Sequence, residues 1–529
     1  MNANKSRAET WQSLQQDWDI IVIGGGITGA GVFRLAAAQG LRVLLLEQND
    51  YASGTSSRSS KLIHGGFRYL RNRQFDITRE SVREREVLLR EAPGLVRPLG
   101  FILPYTDSGT QRAEFHLGVT LYDLMAPKWK HRGLSQTDVH SLVPQLSAPW
   151  LAGAYLYYDA VMDDARMVLR LLSEGCRAGG TALNYARVEK LLTTREGTVC
   201  GAAVSDQSPQ ALGSLELHAR VLINAAGPWS DMLRAQVNAP TRLRPQRGSH
   251  LVFPYEKLPL PHAVTLLHPK DKRAMFAIPW EGTTIIGTTD LDHPSPLDEG
   301  EPFCTQAEVD YILEAAAAFF PSARLSQADA LSSFAGLRPI IRGNAANPSA
   351  ESRAHVVWEE KGLVTITGGK LTIFRRMAQD ALRKAAPRLS LTLKSHARFY
   401  DALPRQSGAD STELNPGQRC VLAGKYGFAL QELLSCAKPG ELRPVQGLPT
   451  IRAELRYTAR RESVQHLDDL LLRRTRLGLL LPEGARAELP FLREITREEL
   501  DWDDMRWEAE VQRYTQIYER FYNSAPAGI

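Results

Sequence analysis

Gly24, Gly26 and Gly29 fall in the spacing GxGxxG, and a carboxylate, Glu47, follows about 20 residues after the middle glycine. The first glycine permits a tight turn. The second lets the backbone approach a pyrophosphate, and the third lets a helix pack closely on a strand. Glu47 stands where a carboxylate can accept hydrogen bonds from ribose hydroxyls. A lone GxGxxG is also found in βαβ turns that hold no ligand, so its context decides. Here DIIVI precedes it as a buried strand, AGVFRLAAAQG follows as a helix, and LRVLLLE forms a second buried strand that ends in Glu47. The unit reads as a dinucleotide site. Two further glycine turns follow strand-like runs: Gly227 in VLINAAGPW, and Gly368 with Gly369 in ITGGKLT. Each alone is an ordinary turn. Together with the first unit they favour FAD, a long cofactor that needs contacts from several chain regions. A helix starting beside the flavin would stabilise negative charge developing at N1–C2=O on reduction.

The elements that must position these turns are spread along the chain. A Ser/Thr/Gly loop over 51–60 runs through SKLIHGGFRYL into a charged helix ending near Pro93 and Gly94. Another helix lies between Asp163 and Gly179, and RVLINAAGPWSD is a buried strand with its turn. From about 240 to 335 short strands dominate (SHLVFP, RAMFAIPW, TTIIGTTD), as in an antiparallel sheet. GLVTITGGK then leads into the helix LTIFRRMAQDALRKAA, and the remainder is largely helical and rich in arginine. The expected class is α/β, with a discontinuous Rossmann-type FAD-binding domain, a mostly antiparallel β substrate domain and a C-terminal helical domain. The expected boundaries are 18–95, 150–238 and 333–387 for the first, 96–149 and 239–332 for the second, and 388–529 for the helical cap.

At 529 residues the chain exceeds what one hydrophobic core serves, so several domains are expected. A formal net charge of +5 excludes a general nucleic-acid binder but allows local cationic pockets. Five scattered cysteines without a CxxC pair suit a reducing compartment and argue against a zinc site or a disulfide framework. Neither a signal peptide nor an apolar run of about 18 residues is evident, so the expected location is cytoplasmic, with peripheral contact to the cytoplasmic membrane left open. Residues 111–132 combine apolar side chains with a basic end (Lys128, Lys130, His131, Arg132). They read equally as a membrane-contacting surface or as a core helix with a solvated end.

The strings IVIGGGITGAG, TSSRSSKLIHGGFRYL, MDDARM, NAAGPWSD, RGSHLVFP, FAIPWEGTTIIGTTD, GLRPI and GGKLTIFR occur in this order over about 20–380, and HLDDLLLRRTRLGL follows near 466–479. In these residues the chain resembles the FAD-dependent glycerol-3-phosphate dehydrogenases of the aerobic, quinone-linked type. Ile373-Phe374 and Phe67 depart from the family's usual residues, as does most of the loop between Arg338 and Arg353. The resemblance implies oxidation of sn-glycerol 3-phosphate to dihydroxyacetone phosphate, with electrons passed to membrane quinone; related oxidases use oxygen. It assigns flavin contacts to Gly24, Gly26, Gly29, Glu47, Ser57, Lys61, Leu62, Gly227, Gly369, Lys370 and Thr372. It assigns substrate contacts to Arg338, Arg353 and Lys370, with His250 close by, and it allows a homodimer.

The residue types suit that reaction. Arg338 and Arg353 can clamp a phosphate bidentately, while Lys370 supplies a point charge near the flavin. Arginine stays protonated and makes an anchor, so the O–H proton falls to a histidine: His250 first, His64 second. Any single histidine is also an ordinary hydrogen-bonded structural residue. Two other readings are an amine or 2-hydroxy-acid oxidase on the same scaffold, and a flavoprotein fold kept as a binding module.

Overall fold

The computed structural model describes residues 6–66, 75–126, 130–294, 297, 300–343, 353–390, 392–393, 398–403 and 413–524. Phe67, Lys128 and residues 344–352 of the divergent loop lie outside them.

The first strand, Trp18–Ile23, is apolar at nearly every position because both of its faces are covered. Ile20 and Val22 join one core with Val43, Leu45, Val221 and Ile223, under the helices Ile27–Ala38, Asp164–Arg177 and Phe374–Leu389. Ile21 and Ile23 join a second core with Leu44, Leu46 and Leu222 on the opposite face. The strand pairs in parallel with Val43–Leu46 on one side and Ser214–Asn224 on the other. Thr181–Leu183 extends the sheet beyond Val43–Leu46, and Leu363–Gly368 extends it beyond Ser214–Asn224. This is a parallel α/β layer assembled from three distant chain regions.

Among the described residues the second sheet has ten strands and is mostly antiparallel. Three of them, Leu62–Ile63, Gly153–Met162 and Ser332–Ile341, fall in segments assigned from sequence to the cofactor domain. Gly153–Met162 pairs along its length with Val96–Tyr105, and Ser332–Ile341 pairs with Leu243–Pro254. The expected boundaries at 150 and 333 therefore cut the second sheet. Alternating burial looks alike in either sheet, and the pairing partner is remote in the chain, so the local pattern carries no address.

The C-terminal region is helical and packs its apolar side chains against this second sheet. Leu470, Leu479 and Tyr518 share a core with Val252, Ile278 and Trp280. Its arginines Arg456, Arg473, Arg474 and Arg476 are paired with carboxylates and buried. Arg473 Nε lies 2.5 Å from Asp50 Oδ2, and Arg474 reaches the same carboxylate at 2.6 and 2.8 Å. Arg476 reaches Asp163 at 3.0 Å and also binds Asp164, which pairs with Lys61 at 2.9 Å. Burial lowers the Lys61 ammonium to about 8, with Asp164 pulling the other way.

These contacts make stability acid-sensitive. Asp163 is buried, which alone would raise its pKa, but the Arg476 and Lys425 charges outweigh this and hold the carboxyl at about 2 against an ordinary 3.8. A carboxylate whose folded pKa is depressed stabilises the fold above the unfolded value, and that stability is lost as pH falls toward the folded one. Asp163 should contribute about 2 kcal/mol above pH 4 that disappears between pH 4 and 2. Denaturant titrations at pH 6 and pH 3 check this, with Asp163→Asn losing the difference.

Candidate active site

The sequence GGGITG turns between the strand Trp18–Ile23 and the helix Ile27–Ala38, and its backbone explains the glycines. Gly24 has φ +112°, and a Cβ there would sit 2.6 Å from the Ala225 carbonyl oxygen. A Cβ on Gly29 would sit 1.9 Å from the Gly24 carbonyl oxygen. Gly26 caps the helix, and the Ile27 N–H donates to Ser56 Oγ at 2.9 Å. Glu47 follows the strand Val43–Leu46, where its carboxylate accepts the Gly25 N–H at 2.6 Å and the Asn49 N–H at 2.9 Å. Burial pushes this carboxyl up from its ordinary range, with the Asn49 and Gly25 N–H groups pulling against it.

From this turn a cavity of about 1140 Å³ runs to the face of the second sheet. Gly24, Gly26 and Glu47 line one end, and Gly227 and Gly369 line it from the other two glycine turns. Three turns distant in sequence thus open on one space. Lys370 lines it as the cap of a short 3-10 turn, Leu371–Ile373, that leads directly into the helix Phe374–Leu389. Leu62, His64 and Thr372 line it too, and Thr372 Oγ1 donates to the His64 carbonyl at 3.4 Å. Gly29, Ser57 and Lys61 stand behind the lining. Gly29 packs helix on strand, while the Lys61 ammonium turns away to the Ser57 carbonyl at 2.5 Å and to Asp164.

The floor is the second sheet, and its register sets the order of groups. Phe276, Gly287, His250 and Phe334 are successive partners across four strands. Gly287 adds no side chain, so the row dips between Phe276 and His250. Phe101 and Tyr157 continue the apolar side. His250 is 2% exposed and stacks on Phe334 with ring centroids 4.7 Å apart. Its Nε2 is 2.8 Å from Ser60 Oγ, and its buried Nδ1 has no hydrogen-bond partner. Burial, then the Arg338 and Lys61 charges, hold the imidazole well below its ordinary 6.5, so it is neutral near pH 7. Arg338 and Arg353 line the cavity beside it. Arg338 Nη2 donates to Thr288 Oγ1 at 3.0 Å, and Arg353 Nη2 to Gln246 Oε1 at 3.2 Å.

Three cavity groups were not singled out from the sequence. Ser60 lay unremarked within TSSRSSK, and Asp290 is the last residue of the strand-like run TTIIGTTD. Arg273 precedes a strand without any local signal.

The residues fit a dinucleotide whose far end carries a redox ring. The glycine cradle would be filled by any Cβ, the helix N-terminus offers N–H groups to phosphates, and a carboxylate closes the second strand. This arrangement defines a flavin-dependent oxidoreductase. The comparisons agree. The family model described as FAD dependent oxidoreductase matches residues 19–375, and that described as the C-terminal domain of alpha-glycerophosphate oxidase matches 373–507. The glycerol-3-phosphate dehydrogenase of Mycobacterium leprae (strain TN) is 36% identical, covering 96% of this chain and 90% of that protein. The aerobic glycerol-3-phosphate dehydrogenase of Staphylococcus aureus (strain bovine RF122 / ET3-1) is 31% identical over 98% of this chain and 96% of its own length. The crystal structure of glycerol-3-phosphate dehydrogenase from Bacillus halodurans complexed with FAD is 28% identical, with a TM-score of 0.77 over 100% of both chains. The chain belongs to the FAD-dependent glycerol-3-phosphate dehydrogenase family, and its cofactor is FAD.

Proposed function

We propose that this enzyme oxidises sn-glycerol 3-phosphate to dihydroxyacetone phosphate and delivers the electrons to a quinone. One observation carries the substrate: the cavity that receives the three glycine turns also receives Arg338, Arg353 and His250. A small phosphorylated alcohol needs that set, an anion anchor beside a proton acceptor. When bound, FAD supplies the two-electron acceptor that takes the C2 hydrogen with its electron pair.

The chain's own residues do the rest. Arg338 and Arg353 hold the phosphate, and Lys370 adds a point charge beside the flavin. His250, uncharged before substrate arrives, takes the C2 hydroxyl proton at Nε2, directly or through the Ser60 hydroxyl that lies against it. A phosphate seated on Arg338 cancels one of the charges that depress His250, so the substrate itself makes the base stronger. Gly24, Gly26, Glu47 and Leu62 contact the flavin nucleotide, as does Thr372.

The apolar side of the floor, with Phe101, Tyr157 and Phe276, suits a planar hydrophobic acceptor. The helix Gly109–Met125 buries Phe115, Val119 and Tyr122, yet leaves Leu117 61% and Leu124 75% exposed, near the exposed Lys130 and Arg132. That combination supports peripheral membrane contact. Among the described residues no helix is long and apolar enough to cross a membrane.

Anaerobic addition of glycerol 3-phosphate should bleach the flavin, and a short-chain quinone analogue should restore the colour faster than air does. Bleaching by amino or 2-hydroxy acids instead would overturn the substrate. Reoxidation by oxygen alone would overturn the acceptor.

A further inference from the structure

Arg338 and Arg353 meet at a shared carboxylate. Asp290, with its side chain 1% exposed, takes Arg338 Nη1 at 2.9 Å on Oδ1 and Arg353 Nη2 at 3.4 Å on Oδ2. A third guanidinium, that of Arg273, approaches the same Oδ2 at 3.5 Å. All four residues line the cavity, and they arrive from separate stretches of chain. Glu308 pairs with Arg247 at 3.0 Å and accepts the Ser249 and Thr289 hydroxyls. Asp271, half exposed, accepts the Tyr311 hydroxyl and also the Arg273 N–H at 3.1 Å. Three guanidiniums thus converge on one buried carboxylate. Arg353 is only 7% exposed, and its buried Nε makes no hydrogen bond, so it retains capacity for an acceptor. The fold also keeps space for the cluster, since a Cβ on Gly248 would sit 2.3 Å from Arg338 Nη2.

We propose that Arg273 is a third guanidinium of the phosphate subsite, and that Asp290 is the positioning residue that holds all three toward the bound phosphoryl group. The proposal rests on the phosphorylated substrate argued above and adds a reason for selectivity. A phosphate monoester offers three oxygens and two charges to the three guanidiniums. A substrate carboxylate offers one charge and two oxygens, and so makes fewer charge-assisted contacts there. The cluster therefore discriminates by charge number as well as by shape.

The test uses holoenzyme, with inorganic phosphate as a competitive probe against glycerol 3-phosphate. In Arg273→Gln, both KM and the phosphate inhibition constant should rise about tenfold or more, the effect of one charge-assisted contact. The FAD content should hold, kcat should fall by a much smaller factor, and Arg273→Lys should recover part of the loss. Asp290→Asn should split the parameters the other way. Phosphate binds about as tightly as before, because the loss of one negative charge offsets the looser aim, while kcat falls because the substrate is no longer held in register with the flavin. An unchanged phosphate inhibition constant in Arg273→Gln overturns the subsite. In Asp290→Asn, weaker phosphate binding together with a lower thermal midpoint marks a merely structural carboxylate and overturns the positioning role. Wild-type flavin that glycerol 3-phosphate fails to bleach overturns the substrate reading instead, and is seen before any variant is made.

Discussion

Arg338→Ala is expected to raise KM for glycerol 3-phosphate about a hundredfold and to leave the FAD content unchanged. Hydrogen bonds to charged groups contribute about 1.5–3 kcal/mol, and each 1.4 kcal/mol is a factor of ten in affinity. Arg338 lies at the second-sheet end of the cavity, while the glycine cradle and Glu47 form the other end. Its removal leaves Asp290 with Arg353 and Arg273, so no buried carboxylate is stranded and the fold should hold. Arg338→Lys should restore only part of the affinity, because an ammonium lacks the guanidinium's two-pronged geometry. Steady-state kinetics beside the ratio of flavin to protein absorbance separate binding of substrate from binding of cofactor. An unaltered KM in the alanine variant would remove Arg338 from the phosphate site.

Gly29→Ala should give nearly colourless protein. The added Cβ would lie 1.9 Å from the Gly24 carbonyl oxygen, which is backbone and cannot swing aside. Relief requires the helix Ile27–Ala38 to lift from its strand, and the cradle and the N–H groups at the helix start move with it. Overpacking of this kind costs about 1–3 kcal/mol. The stabilisation that bound cofactor gives the folded state is lost in addition. The variant should carry less than about a tenth of the wild-type flavin, and excess FAD should raise its thermal midpoint less than it raises that of wild-type apoprotein. A yellow, stoichiometric Gly29→Ala would show that close packing of helix on strand is dispensable here.

What could be read from the sequence divides along a physical line. The glycine spacing, the paired buried strands and Glu47 are local patterns, and backbone geometry dictates them over about thirty residues. They appear in the structure where they were expected. The sheet that receives Gly153–Met162 is a long-range matter, since alternation reports burial and not the partner that provides it. The same limit hid Asp290 and Arg273, whose significance lies in a convergence that no spacing encodes. The run Arg473, Arg474 and Arg476 shows the limit most sharply. Arg473 pairs within the helical region with Asp468 and Asp469, but Asp50, Asp163 and Asp164, the other counter-ions of this run, lie hundreds of residues away.

That last arrangement has a consequence for biosynthesis. Asp50 directly follows the nucleotide-binding βαβ unit, and its guanidinium partners stand 423 and 424 residues downstream. At roughly 5–20 residues per second, about 20–85 s separate translation of the aspartate from translation of its counter-charges. Until then the ribosome-bound chain has no cation from this region with which to bury that anion, so the Asp50 loop stays hydrated and open. Burial of the Asp50 carboxylate is thereby deferred until Arg473 and Arg474 emerge.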